Sequence, residues 1–118
     1  MANPAPQNQY IVGAYTTSPN LFSWDEPSER EYFAAIRKIR AIRGLELPFW
    51  GKSLHPYDDE WLLSNLDPAW ENVLTCLPGT MVNLADNIHF GLASKDENSR
   101  KSAIHFYEIA LKSIQKLK

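Results

Sequence analysis

Three short segments are rich in apolar residues, the first and third on both alternating faces, and each gives way to a stretch where a helix is predicted. The first is Tyr10–Tyr15 (YIVGAY). A strand without apolar/polar alternation is one covered on both faces, as strands of parallel sheets are. Ser18, Pro19, Asn20 and Pro27 punctuate residues 17–27 as a long loop. Ser28 followed by Glu31 has capping-box spacing and opens a predicted helix. Tyr32, Ile36 and Ile39 form its apolar stripe, widened by Phe33 and Ala35. Arg37, Lys38 and Arg40 gather near its end, where cations suit the helix dipole. Gly44 breaks the pattern.

The second strand is predicted over Leu45–Phe49, with Leu45, Leu47 and Phe49 on one face and Glu46 on the other. Pro48 lacks an amide donor, so pairing should end there. A short helix is predicted over Asp58–Asn65, capped by Asp58 and buried at Trp61, Leu62 and Leu63. The third strand, Asn72–Leu77, is stopped by Pro78-Gly79, and the apolar residues of 80–93 show no clear period. Ser94 and Glu97 repeat the capping-box spacing. The helix they open carries Ala103, Phe106, Ala110, Ile114 and Leu117 on one face and runs to the last residue.

Strand starts near 10, 44 and 72 give an α/β chain of three consecutive βα units, βαβαβα, with parallel strands and right-handed crossovers. Two architectures satisfy that order: a partial (β/α)₈ TIM barrel and a small open parallel sheet. A complete barrel takes roughly 250 residues, so in the first case the chain is expected to stop before closure. Residues 1–9, with two prolines and little to bury, read as a flexible tail ahead of one domain over 10–118.

The composition excludes several classes. The chain has 118 residues, 44% hydrophobic and 22% charged, with a formal net charge of -2. Those fractions are ordinary for a globular protein, and no basic field exists to hold a nucleic-acid backbone or an anionic membrane. The single cysteine, Cys76, allows no internal disulfide and favours a reducing compartment. The polar start lacks the apolar core of a secretory signal, and no run approaches the roughly 20 residues needed to span a bilayer. The expectation is a cytoplasmic chain.

The blocks YIVGAYTTSP, RGLELPFWG, VLTCLPGTM and HFGLASKDENSRKSAIHFYEIALKSIQKL resemble the N-terminal part of an uncharacterised bacterial family. That family belongs to the xylose isomerase-like TIM-barrel group. The resemblance runs from Tyr10 onward, and GLELP is similar to the group's second strand, where an acidic residue commonly follows the first helix. It implies an N-terminal piece of a sugar or sugar-phosphate isomerase or epimerase, inactive alone. The divalent metal of such enzymes comes from later strands, so this chain is expected to hold no metal or other cofactor. The alternative is a non-catalytic α/β domain that self-associates through its open sheet edges or binds a partner.

Within a barrel, Glu46 would face the interior near the C-terminal end of its strand, where active sites lie. A carboxylate there needs a partner, a metal or a proton. It is therefore a catalytic candidate, the competing role being a structural acid bonded to an arginine or to backbone. His89 is the second catalytic candidate and His55 a substrate-binding one, since both sit in loops after strands. Trp50, Trp24 and Tyr15, with Phe22, lie at strand ends or in the loops beyond them, placed to stack on a sugar ring or to pack the loops. His105 reads as helix surface, Trp61 and Trp70 as packing, and Cys76 as a small core residue. Asp58, Asp59 and Glu60 fall in a first helical turn, which explains them without a metal.

Overall fold

The computed structural model describes residues 10–15, 18 and 23–117. The tail expected over 1–9 and the ring of Phe22 lie outside the described residues. The elements are β1 (Tyr10–Gly13), α1 (Glu26–Arg37), β2 (Ile42–Pro48), α2 (Asp59–Asn65), β3 (Val73–Thr75), α3 (Leu77–Asp86) and α4 (Glu97–Ile114), with a 3-10 turn over Gln115–Leu117. The strands form one open parallel sheet in the order β1-β2-β3. This is the expected α/β alternation, with a second helix in the third unit.

Burial in β2 sets the two faces of the sheet. Leu45, Leu47 and Phe49 are fully buried, while Glu46 between them is exposed. The ladder is irregular at its start: Tyr10 pairs with Ile42, Ile11 with Gly44, and Arg43 is the extra residue. Such a bulge shifts the alternation by one. It lets Ile42 join Leu45 and Leu47 in the core while Arg43 turns out to an ion pair with Glu71 at 3.3 Å. The Glu71 amide donates to the Arg43 carbonyl at 2.9 Å. That close crossing demands glycine at 44, where a Cβ would stand 1.8 Å from the Glu71 carbonyl oxygen.

Two apolar clusters cover the helix side of the sheet. Phe33 and Ile36 of α1, Leu62 of α2 and Leu54 pack on Ala14, Leu45 and Leu47. Phe49 packs with Phe90 and with Ala103, Phe106 and Ala110 of α4, and Leu74 of β3 touches both groups. On the other face Gly13, Glu46 and Val73 are neighbours in register, and Val73 remains 41% exposed.

The helix starts differ from the expected capping boxes. α1 begins two residues before Ser28, with Asp25 in extended backbone at its N-cap and Pro27 in the first turn, where no amide donor is lost. Ser28 instead donates to the Asp25 carboxylate. The buried stripe of α1 is Glu29, Phe33 and Ile36, and Ile39 is exposed. α4 is capped by Asp96, which accepts from the Ser99 amide at 2.9 Å, rather than by Ser94. Asp58 caps α2 as expected, accepting from the Trp61 amide at 3.1 Å.

The unexpected helix is α3. Pro78 sits in its first turn, and Gly79 is buried so closely that a Cβ would meet the Phe106 ring at 2.6 Å. Pro-Gly therefore starts this helix instead of ending the strand before it. Leu77, Met81 and Val82 stay exposed while Leu84 packs inward, so no one-sided period marks the segment.

Candidate functional site

The loops after β1 and β2 meet over α1 in a buried polar cluster. Glu29, in the first turn of α1, accepts from the Tyr15 hydroxyl at 2.8 Å and contacts His55 Nε2 at 2.8 Å through the same Oε1. His55 Nδ1 faces two donors, the amides of Tyr57 at 2.9 Å and Asp58 at 2.8 Å. Both place the ring proton on Nε2, aimed at the carboxylate. Asp59 holds the same loop from below, accepting from the amides of Leu54 at 2.9 Å and His55 at 2.8 Å. Glu29 and His55 are each 1% exposed. Burial, and then the hydrogen bond to Glu29, push the Tyr15 hydroxyl well above the ordinary tyrosine range.

An aromatic shell encloses the imidazole. The rings of Trp24, Trp61, Tyr15 and Tyr57 lie 5.1, 5.7, 5.8 and 6.0 Å from it, centre to centre. Trp24 and Tyr57 are also neighbours, at 5.6 Å and 37°, and both are partly open to solvent, 39% and 46% exposed. Trp61 ties the shell to α1 by donating from Nε1 to Glu26 at 3.0 Å. Arg30 and then Trp61 hold the Glu26 carboxyl below the usual range.

Of the residues singled out from the sequence, Tyr15, Trp24 and His55 come together here. Glu46, Trp50 and His89 do not join them. Glu46 projects from the uncovered face of the sheet, exposed rather than enclosed, and makes no side-chain hydrogen bond or ion pair among the described residues. Trp50 is 44% exposed and lines a cleft beside α3 and α4. His89 is exposed in the loop after α3, close enough to Asp96 to help lower that carboxyl, after the dominant hydrogen bonds from Ser99. Cys76 is half-buried, and burial pushes its thiol up, against a nucleophilic role.

A family model described as a domain of unknown function (DUF4862) matches residues 11–118. The chain belongs to the DUF4862 family. An uncharacterized protein of Salmonella typhimurium is 38% identical over 108 residues, 92% of this chain and 34% of that protein. The chain thus spans about a third of the length of the curated relative it matches. No solved structure matches it.

Glu29 is the residue of this DUF4862 chain that sequence reasoning missed. Its signal was present: it precedes Phe33 by four residues and Ile36 by seven, on the stripe that became buried. An acid on an apolar stripe must find donors. Among the described residues no three His, Cys, Asp or Glu gather to hold a metal ion, and no helix is long and apolar enough to cross a membrane.

Proposed function

We propose that this chain supplies the first three βα units of a cytoplasmic barrel enzyme that isomerises or epimerises a sugar or sugar phosphate. The observation that carries the reading is Glu46: an exposed carboxylate, without a side-chain partner among the described residues, on the open face of a parallel sheet, one residue beyond the middle of β2. Parallel sheets bury both faces in complete folds, so a carboxylate there becomes enclosed when that face is covered. Enclosure raises a carboxylate's affinity for a proton toward what a general base needs. In an isomerisation Glu46 would take the proton from the carbon beside a carbonyl and return it to the former carbonyl carbon, as the neighbouring hydroxyl proton passes to the old carbonyl oxygen; in an epimerisation an acid on the other face would return it. Trp24 and Tyr57 would bound the sugar ring, with His55 fixing their loops from behind. His89 would approach only from the far loop.

Among the described residues no three-residue set fits the divalent metal that such a barrel would use, and no step is assigned to one. The Salmonella relative, assayed over a panel of aldoses, ketoses and their phosphates with divalent cations, should show turnover, and this 118-residue chain should show none. The relative should also carry a carboxylate where it aligns with Glu46, and its amide variant should lose activity. Either a non-acidic residue at that position or full activity of the amide variant sinks the reading.

A second reading draws on the sheet edges. Among the described residues β1 and β3 each pair on one side only, and Tyr10 of β1 and Val73 of β3 are exposed. Unpaired edges invite another strand, so the isolated chain would self-associate. Light scattering behind size exclusion decides it: a clean monomer at high concentration removes this reading and leaves the first untouched.

A further inference from the structure

A cleft of about 380 Å³ lies between the loop after β2 and the pair α3 and α4, and it shares no residue with the Glu29–His55 cluster. The backbone turns at Gly51 with φ at 120°, a conformation that favours glycine. That turn sets Trp50 and Lys52 on the rim and brings the chain against the buried Phe106 ring, which forms the floor. Val82 and Asn83 of α3 and Ser102, His105 and Ile109 of α4 complete the lining. No carboxylate lines it, and Lys52 has no ion pair among the described residues. His105 stands 4.0 Å from Glu108, which lies outside the lining.

The polar groups are already partly committed, and what remains of them defines a ligand. Asn83 spends an amide hydrogen on the Gly79 carbonyl at 2.8 Å, and Ser102 spends its hydroxyl hydrogen on Asn98 at 3.0 Å. Their oxygens are left as acceptors, suited to hydroxyl donors. Trp50 offers an aromatic face to an apolar ring surface, and Lys52 offers an uncompensated cation. We infer that this cleft binds a phosphomonoester carried on a polyhydroxylated ring, with the phosphate toward Lys52, ring hydroxyls toward Asn83 and Ser102, and the ring's C–H face on Trp50. The inference stands on the cleft alone and does not depend on Glu46 or on any turnover.

The test is NMR titration of the 118-residue chain with glucose 6-phosphate, ribose 5-phosphate, glucose and inorganic phosphate. A sugar phosphate should shift the Trp50 indole and the Gly51 amide saturably, and Trp50→Ala should abolish the Gly51 shift. Glucose and inorganic phosphate should each bind at least about fivefold more weakly, and Lys52→Met should weaken the sugar phosphate about fivefold, the worth of one exposed ion pair. No saturable shift with either sugar phosphate through the millimolar range overturns the inference. So does a Lys52→Met variant that binds as tightly as the parent, or inorganic phosphate binding as tightly as the sugar phosphates. The shifts should be confined to Trp50, Gly51 and the facing residues of α3 and α4, with the Trp24 indole unmoved, which separates this result from the fate of the isomerase reading.

Discussion

Glu29 and Glu46 lie on neighbouring elements of one chain, and the fold treats them in opposite ways. Glu29 sits on the buried stripe of α1, with one oxygen shared between a tyrosine hydroxyl and an imidazole N–H. Glu46 sits on the outward face of β2 with no side-chain partner among the described residues. A carboxylate that is buried and bonded by neutral donors contributes to holding a fold together, and its removal leaves those donors stranded. A carboxylate held on a rigid strand and left free contributes little to stability and is available for chemistry. Of the two, the one that looks most like a catalytic cluster, a Glu–His pair, is the one closed to substrate.

The largest effect should come from Glu29→Ala, which leaves the Tyr15 hydroxyl and His55 Nε2–H without an acceptor. It should cost about 3 kcal/mol in urea unfolding. A loss below about 1 kcal/mol would break the comparison by showing that solvent reaches the cluster. Next comes Gly44→Ala, on the same sheet face as Glu46 but beneath the Glu71 crossing. Backbone rather than a flexible side chain stands in the way, so about 2 kcal/mol should be lost, and a neutral result would mean that residues 71–72 lift off the sheet.

Tyr15→Phe removes one of the two donors to Glu29 and should cost about 1 kcal/mol at neutral pH. The raised Tyr15 pKa adds a sign that can be checked. The folded state keeps this proton more tightly than the unfolded state, so its stabilising effect is complete below the unfolded tyrosine value of about 10 and declines as pH rises above it. Unfolding titrations should show that alkaline decline in the parent and a shallower one in Tyr15→Phe. Equal slopes would mean that the hydroxyl is not held by Glu29. The smallest effect belongs to Glu46→Gln, expected within about 0.5 kcal/mol of the parent. A larger destabilisation would mean that Glu46 has a structural partner after all.

Tyr15, Trp24 and His55 were legible as loop residues at strand ends, because apolar runs and turn residues locate strand ends directly. Their meeting was not legible, since Glu29 and His55 are 26 residues apart and only packing of α1 on β2 closes that distance. Glu46 was placed correctly on the face opposite Leu45 and Leu47 by alternation alone, whereas its exposure depends on whether anything covers that face. Trp50 was legible as an aromatic beyond a strand, but its companions in the cleft come from α3, a helix hidden behind a proline-glycine pair, and from α4.

What the sequence by itself determined is the succession of elements: three parallel strands, the Asp58 cap of α2, and the Ala103–Phe106–Ala110 stripe of α4. These follow from local backbone preference and from periodicity, which act over a few residues. Only the tertiary structure decided that Pro78 opens a helix, that Gly44 must admit the Glu71 backbone, and that one glutamate is sealed while the other is exposed. Those outcomes depend on which surfaces are brought together across tens of residues, and burial, not residue type, sets what a carboxylate can do.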